Sequence, residues 1–105
     1  MFYILDNMDL KDIQLILIDD IGEKVYSANC DDEYELMMIA GHISNMLKKI
    51  DTKYTFSEIH FENLYLKTYK LEQFLLFFIS KKIFDVKSNI LINQVKEKIV
   101  EILEG

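Results

Sequence analysis

Two short runs in this chain, Leu15–Ile18 and Phe74–Ile79, are apolar at every position, and a strand of that kind has no face to give to water. Each belongs in the middle of a sheet with a layer on both sides. Three further stretches mix apolar and polar residues and so belong nearer the edges: Glu23–Ala28, read as a partially exposed strand, and Ser57–Glu62 and Leu64–Leu71, which alternate. In Ser57–Glu62, Ile59 and Phe61 share one side, while Glu58, His60 and Glu62 share a wet side. Asp20-Ile21-Gly22 supplies a hairpin turn after the first run, with Gly22 free to take positive φ. Glu62-Asn63 and Glu72-Gln73 join the last three strands into a meander. With the doubly apolar strands central and consecutive strands paired, the expected sheet is five-stranded and antiparallel in the order 2-1-5-4-3. Ser57–Glu62 is then a free edge.

Two helices supply the covering layers, so the expected fold class is α/β in the broad sense, more narrowly α+β, with a central helix on one face and a C-terminal helix on the other. The central helix is expected from Asp32, which has capping-box spacing to Glu35, to about Ile50. Leu36, Ile39, Ala40, Ile43, Leu47 and Ile50 form its core stripe. The opposite arc is unusual for a solvated surface. Tyr34, Met37, Met38, Gly41, Ser44 and Asn45 place apolar bulk and small residues there, and Gly41 costs about 1 kcal/mol of helix propensity relative to Ala. A second contact surface accounts for that choice.

The C-terminal helix is expected over Val86–Glu104, capped by Asp85 or Ser88, with Leu91, Ile92, Val95, Ile99, Ile102 and Leu103 buried and Asn93, Glu97 and Glu101 outward. For the first twelve residues two forms stay open. Phe2, Leu5, Met8 and Asp12 share one side of a short helix, which is preferred, and Phe2–Leu5 also suits an added strand.

With 105 residues, no proline and no linker-like segment, the chain is expected to be one domain over 1–105, burying roughly 60–70% of its unfolded surface. The lone Cys30 excludes an intramolecular disulfide and any multi-cysteine metal site, in keeping with a reducing compartment. No apolar run approaches the roughly 18 residues of a membrane span, and Met1-Phe2-Tyr3-Ile4-Leu5 has no basic leader. A cytoplasmic protein without an integral membrane segment is expected, reaching a membrane only through a partner. Residues 1–35 carry ten acids against Lys11 and Lys24, and residues 36–105 carry eight acids against ten lysines, so the two segments carry −8 and +2. Such a chain lacks the basic stripe that nucleic acid requires. It also contains no arginine, which removes bidentate phosphate recognition and any donated arginine finger.

Chemistry is equally scarce. Glycine occurs only at 22, 41 and 105, so no phosphate-cradling loop exists. Asp19, Asp20 and Glu23 surround a turn without calcium-loop spacing, and Asp31, Asp32, Glu33 and Glu35 fit ordinary stabilisation of a helix N-terminus. His42 and His60 have no Cys/His cluster around them, and Cys30 sits among acids that oppose a thiolate. Lys48, Lys49 and Lys53 are read as solubilising charge. No catalytic, cofactor or metal site is expected, and no enzyme activity.

Leu15-Ile16-Leu17-Ile18-Asp19-Asp20-Ile21-Gly22-Glu23-Lys24-Val25-Tyr26-Ser27 resembles the strand–Asp–turn–Gly–strand–Ser opening of the roadblock/dynein light chain family, a branch of the longin-like and profilin-like domains. Leu36-Met37-Met38-Ile39-Ala40-Gly41-His42-Ile43-Ser44 resembles its small-residue central helix, and Phe74–Ser80 followed by a long helix resembles its close. The likeness covers a core of residues 13–104, with 1–12 a short N-terminal extension where the family usually has a full helix. It implies a non-catalytic regulatory or scaffolding subunit that dimerises, with itself or with a related roadblock-like chain, and binds a Ras-like small GTPase. The alternative is a longin-type adaptor for membrane trafficking that binds peptides or coat partners. Family dimers join their third strands edge to edge with central helices side by side. The implied dimer and partner surface is Tyr34, Met37, Met38, Gly41, Ser44, Asn45 and Lys48 on the helix with Glu58, His60 and Glu62 on the edge.

Overall fold

The doubly apolar runs form neighbouring strands, β1 (Gln14–Ile18) and β5 (Phe74–Ser80), paired antiparallel with Leu15 opposite Phe78, Ile16 opposite Phe77 and Leu17 opposite Leu76. The computed structural model describes residues 8–30, 37, 38, 41, 42, 56–61 and 64–104. Within them β2 (Lys24–Ala28), β3 (Phe56–Phe61) and β4 (Leu64–Leu71) complete a sheet of order β2-β1-β5-β4-β3, every pair antiparallel. This order puts the strands built on the doubly apolar runs where both faces are covered, and the more polar ones outside them.

Side-chain alternation sorts the core into two layers. Leu15, Leu17, Leu76 and Phe78 point to one face, where Ile92, Val95 and Ile99 of the C-terminal helix (Val86–Glu104) complete a cluster with Leu10, Ile13 and Phe84. Ile16, Ile18, Leu66, Phe77 and Ile79 point to the other, where Cys30, Met37, Leu64 and Leu75 pack against them. Ten β1 and β5 side chains are thereby withdrawn from water, including Gln14 and Ser80. At about 1.5–3 kcal/mol for a fully buried large aliphatic or aromatic side chain, the two central strands carry much of the hydrophobic term of folding.

Local sequence sets the connections. Asp19 Oδ1 accepts from the amides of Ile21 (3.1 Å) and Glu23 (2.9 Å), closing the β1–β2 turn around Gly22 at φ 89°. At the β4–β5 turn Leu71 faces Phe74, and Glu72 takes a φ of 57°, the positive value a primed two-residue hairpin needs. Asp85, rather than Ser88, caps the C-terminal helix: its Oδ1 accepts from Ser88 N at 2.8 Å and its carbonyl from Asn89 N at 2.9 Å. Ile92, Val95 and Ile99 are buried with Leu91 and Leu103 alongside, Ile102 is half-buried, and Asn93, Glu97 and Glu101 face out.

The expectation of a helix reaching from Phe2 to Asp12 is corrected at its described end. Met8–Ile13 is a tight turn, with Lys11 in left-handed conformation (φ 54°), its amide donating to Asp9 Oδ1 at 3.0 Å and Ile13 N to Leu10 O at 2.9 Å. A local aspartate acceptor and a positive φ interrupt the helical ladder there. Phe2 and Leu5 lie outside the described residues, as do most of the residues expected in the central helix and its capping box; Met37, Met38, Gly41 and His42 have helical backbone. Among the described residues no helix is long and apolar enough to cross a membrane.

Candidate interaction surface

β3 is the last strand of the sheet, so its sequence is written at an edge. Its pairing with β4 sets Glu58 opposite Lys67 and His60 opposite Tyr65. Glu58 and His60 are exposed, and they project on the face that carries the C-terminal helix, since Tyr65 and Tyr69 pack against that layer. The His60 imidazole stacks on Tyr65 with centroids 4.2 Å apart and planes 9° from parallel. Beside it, Lys67 Nζ donates to Asn89 Oδ1 and lies 5.3 Å from the Phe84 centroid, while Lys96 Nζ lies 4.9 Å from that of Tyr69. Burial, and secondarily the Glu58 charge, raise the Tyr69 phenol above its ordinary range. The outer strands thus carry ordered aromatic rings with charged groups of both signs, where the inner strands carry hydrocarbon.

On the other side of the sheet Met38 is 52% exposed and His42 is exposed. Met37, expected on the outer arc, is half-buried against the Ile16, Ile18 and Phe77 layer. A Cβ built on Gly41 meets nothing within 4 Å, so no close approach inside the described chain requires glycine there. Tyr34, Ser44, Asn45, Lys48 and Glu62 lie outside the described residues. Cys30, a half-buried thiol 3.4 Å from the carbonyls of Leu15 and Ala28, packs as a core margin. Among the described residues no group of three or more His, Cys, Asp or Glu side chains is placed to hold a metal ion.

In sequence, no family model matches this chain and no curated protein does so significantly. In structure it is similar to MglB of Myxococcus xanthus, with a TM-score of 0.71 at 12% identity over 89% of this chain and 83% of that one. The chain has a roadblock/longin-like fold.

Within this roadblock-like fold one feature escaped the sequence reading. Ile83, Val86 and Ile90 are 68%, 75% and 54% exposed, at the start of the C-terminal helix and on the side away from Ile92, Val95 and Ile99. Val86 and Ile90 are one turn apart, so the signal was present as an apolar pair at i, i+4 off the core stripe. Further along the same outer side the residues become acidic, with Glu97 and Glu101. Next to this stripe a groove of about 310 Å³ between the N-terminal turn and the helix start is lined by Asp9, Asp12, Lys82, Asp85, Lys87 and Leu91 among others, and an exposed Lys82–Asp12 ion pair of 3.1 Å crosses its rim.

Proposed function

We propose that this chain is a non-catalytic regulatory or scaffolding subunit of roadblock type that dimerises and binds a Ras-like small GTPase. The observation that carries it is an edge strand presenting Glu58 and His60, in a fold shared with MglB over most of both chains. The resemblance of residues 15–27 and 36–44 to the roadblock motifs supplies the partner class. Exposed Met38 suits the helical half of the same surface.

The lack of arginine constrains how such a subunit works. An arginine finger contributes about 10³–10⁵ in GTP hydrolysis rate, and this chain has none to donate. Any acceleration therefore comes from ordering the GTPase's own switch loops, for which paired central helices form the docking face. GTP turnover by the partner GTPase, with and without the chain, tests this. Loop ordering requires that Met38→Lys abolish both binding and acceleration; an effect that survives this change, or that vanishes on replacing one lysine while binding is intact, overturns it.

A further inference from the structure

The edge residues of β3 are self-complementary, and this selects how a second copy fits. We propose that β3 pairs antiparallel with β3 of a second copy about a twofold axis at Ile59, so that Glu58 of each chain faces His60 of the other and protonation of His60 tightens the pair. This rests on the dimer proposed above and goes beyond it by assigning a register and a proton dependence.

A strand pairing with its own copy about a twofold axis normal to the sheet keeps each face continuous, so opposed residues must point to the same face and the axis must pass through a residue pair. Axes near either end of Phe56–Phe61 leave few residues opposed. Two central registers remain. An axis at Glu58 sets that carboxylate against Glu58 of the partner subunit, and like charges directly opposite are destabilising. An axis at Ile59 sets Glu58 against the partner's His60 twice, at Cβ separations of about 4.5–5.5 Å. Charge therefore chooses the second.

Several groups face His60 within its own chain. Tyr65 lies under the ring, Glu58 is two residues along the strand, and Lys67 stands opposite Glu58 with its ammonium at Asn89. From the C-terminal helix Lys96 lies over Tyr69, the next residue of β4 on that face. All of these are present in monomer and dimer alike. What association adds is the partner's Glu58, a carboxylate that favours the charged imidazole, so association strengthens as pH falls. Two exposed ion pairs of usual strength correspond to roughly a 2- to 30-fold change in dissociation constant.

Sedimentation equilibrium of the full chain at pH 5.5, 7.0 and 8.5 reads this directly. The wild-type dissociation constant is expected to fall by that factor toward pH 5.5, and His60→Gln and Glu58→Gln are each expected to remove most of the dependence. Disulfide trapping fixes the register: in a Cys30→Ser background, Ile59→Cys is expected to cross-link copy to copy and Glu58→Cys is not. A dimer whose pH dependence is unchanged in His60→Gln, or one trapped through Glu58→Cys instead, overturns the register while leaving the dimer standing. A wild-type monomer throughout this range at hundreds of micromolar overturns both.

Discussion

The amide of Ser88 donates to Asp85 Oδ1 at 2.8 Å, a contact that begins the only long helix among the described residues. Hydrogen bonds from Ser88, backbone first, hold the Asp85 carboxyl below its ordinary value. A depressed folded-state pKa contributes stability that is complete above the unfolded value, near 3.9, and is lost as pH falls through the folded value below it. Thermal melts between pH 6 and pH 2.5 are expected to show this loss in the wild type. Asp85→Asn keeps an acceptor and should flatten that part of the slope; Asp85→Ala should lower the melting temperature at neutral pH.

Asn29 joins two distant pieces of backbone. At φ 60° it donates from Nδ2 to the carbonyls of Lys11 (2.7 Å) and Ile13 (2.9 Å), fastening the N-terminal turn to the end of β2. Asparagine tolerates the left-handed region better than most residues. Asn29→Ala removes both bonds and adds strain, for an expected loss of about 1–3 kcal/mol in urea unfolding. Asn29→Gly relieves the strain alone and should fall between alanine and wild type.

The two-layer core makes neighbouring residues of one strand equally costly to truncate. Ile16 and Leu17 are both fully buried, against opposite layers. Ile16→Ala and Leu17→Ala are each expected to destabilise by about 2–5 kcal/mol, measured by denaturant unfolding. A sheet covered on one face only would make one of the pair nearly neutral.

These cases show what the sequence makes legible. The strand order follows from which runs lack polar residues, because a two-sided burial demand is encoded residue by residue at period two. Gly22 at its turn and the core stripe of Ile92, Val95 and Ile99 follow in the same way. The roles of Asn29 and Asp19 do not, because a side chain bonding to backbone leaves no periodic trace, and in Asn29 the partners stand 16 and 18 residues away. The turn at Met8–Ile13 was hidden for a related reason: apolar spacing is compatible with a helix until Asp9 captures the amide of Lys11. Of the surface, Glu58 and His60 were legible from alternation, whereas the stack of His60 on Tyr65 required the register of β3 on β4.

Gly41 separates fold from assembly. With open space where its Cβ would stand, Gly41→Ala is expected to stabilise the isolated chain by up to about 1 kcal/mol, through helix propensity. Gly41→Lys is expected to leave the far-ultraviolet circular dichroism unchanged and to shift light scattering from dimer to monomer. A lysine variant that still scatters as a dimer would remove this helix from the interface.

The central claim, a partner of a Ras-like GTPase, is tested most directly by capture. The immobilised full chain is exposed to an extract of its own cells containing either a non-hydrolysable GTP analogue or GDP, and bound proteins are identified by mass spectrometry. A Ras-like GTPase is expected to be retained in clearly different amounts in the two nucleotide states. The same bound proteins in both states, with no GTPase among them, would contradict it.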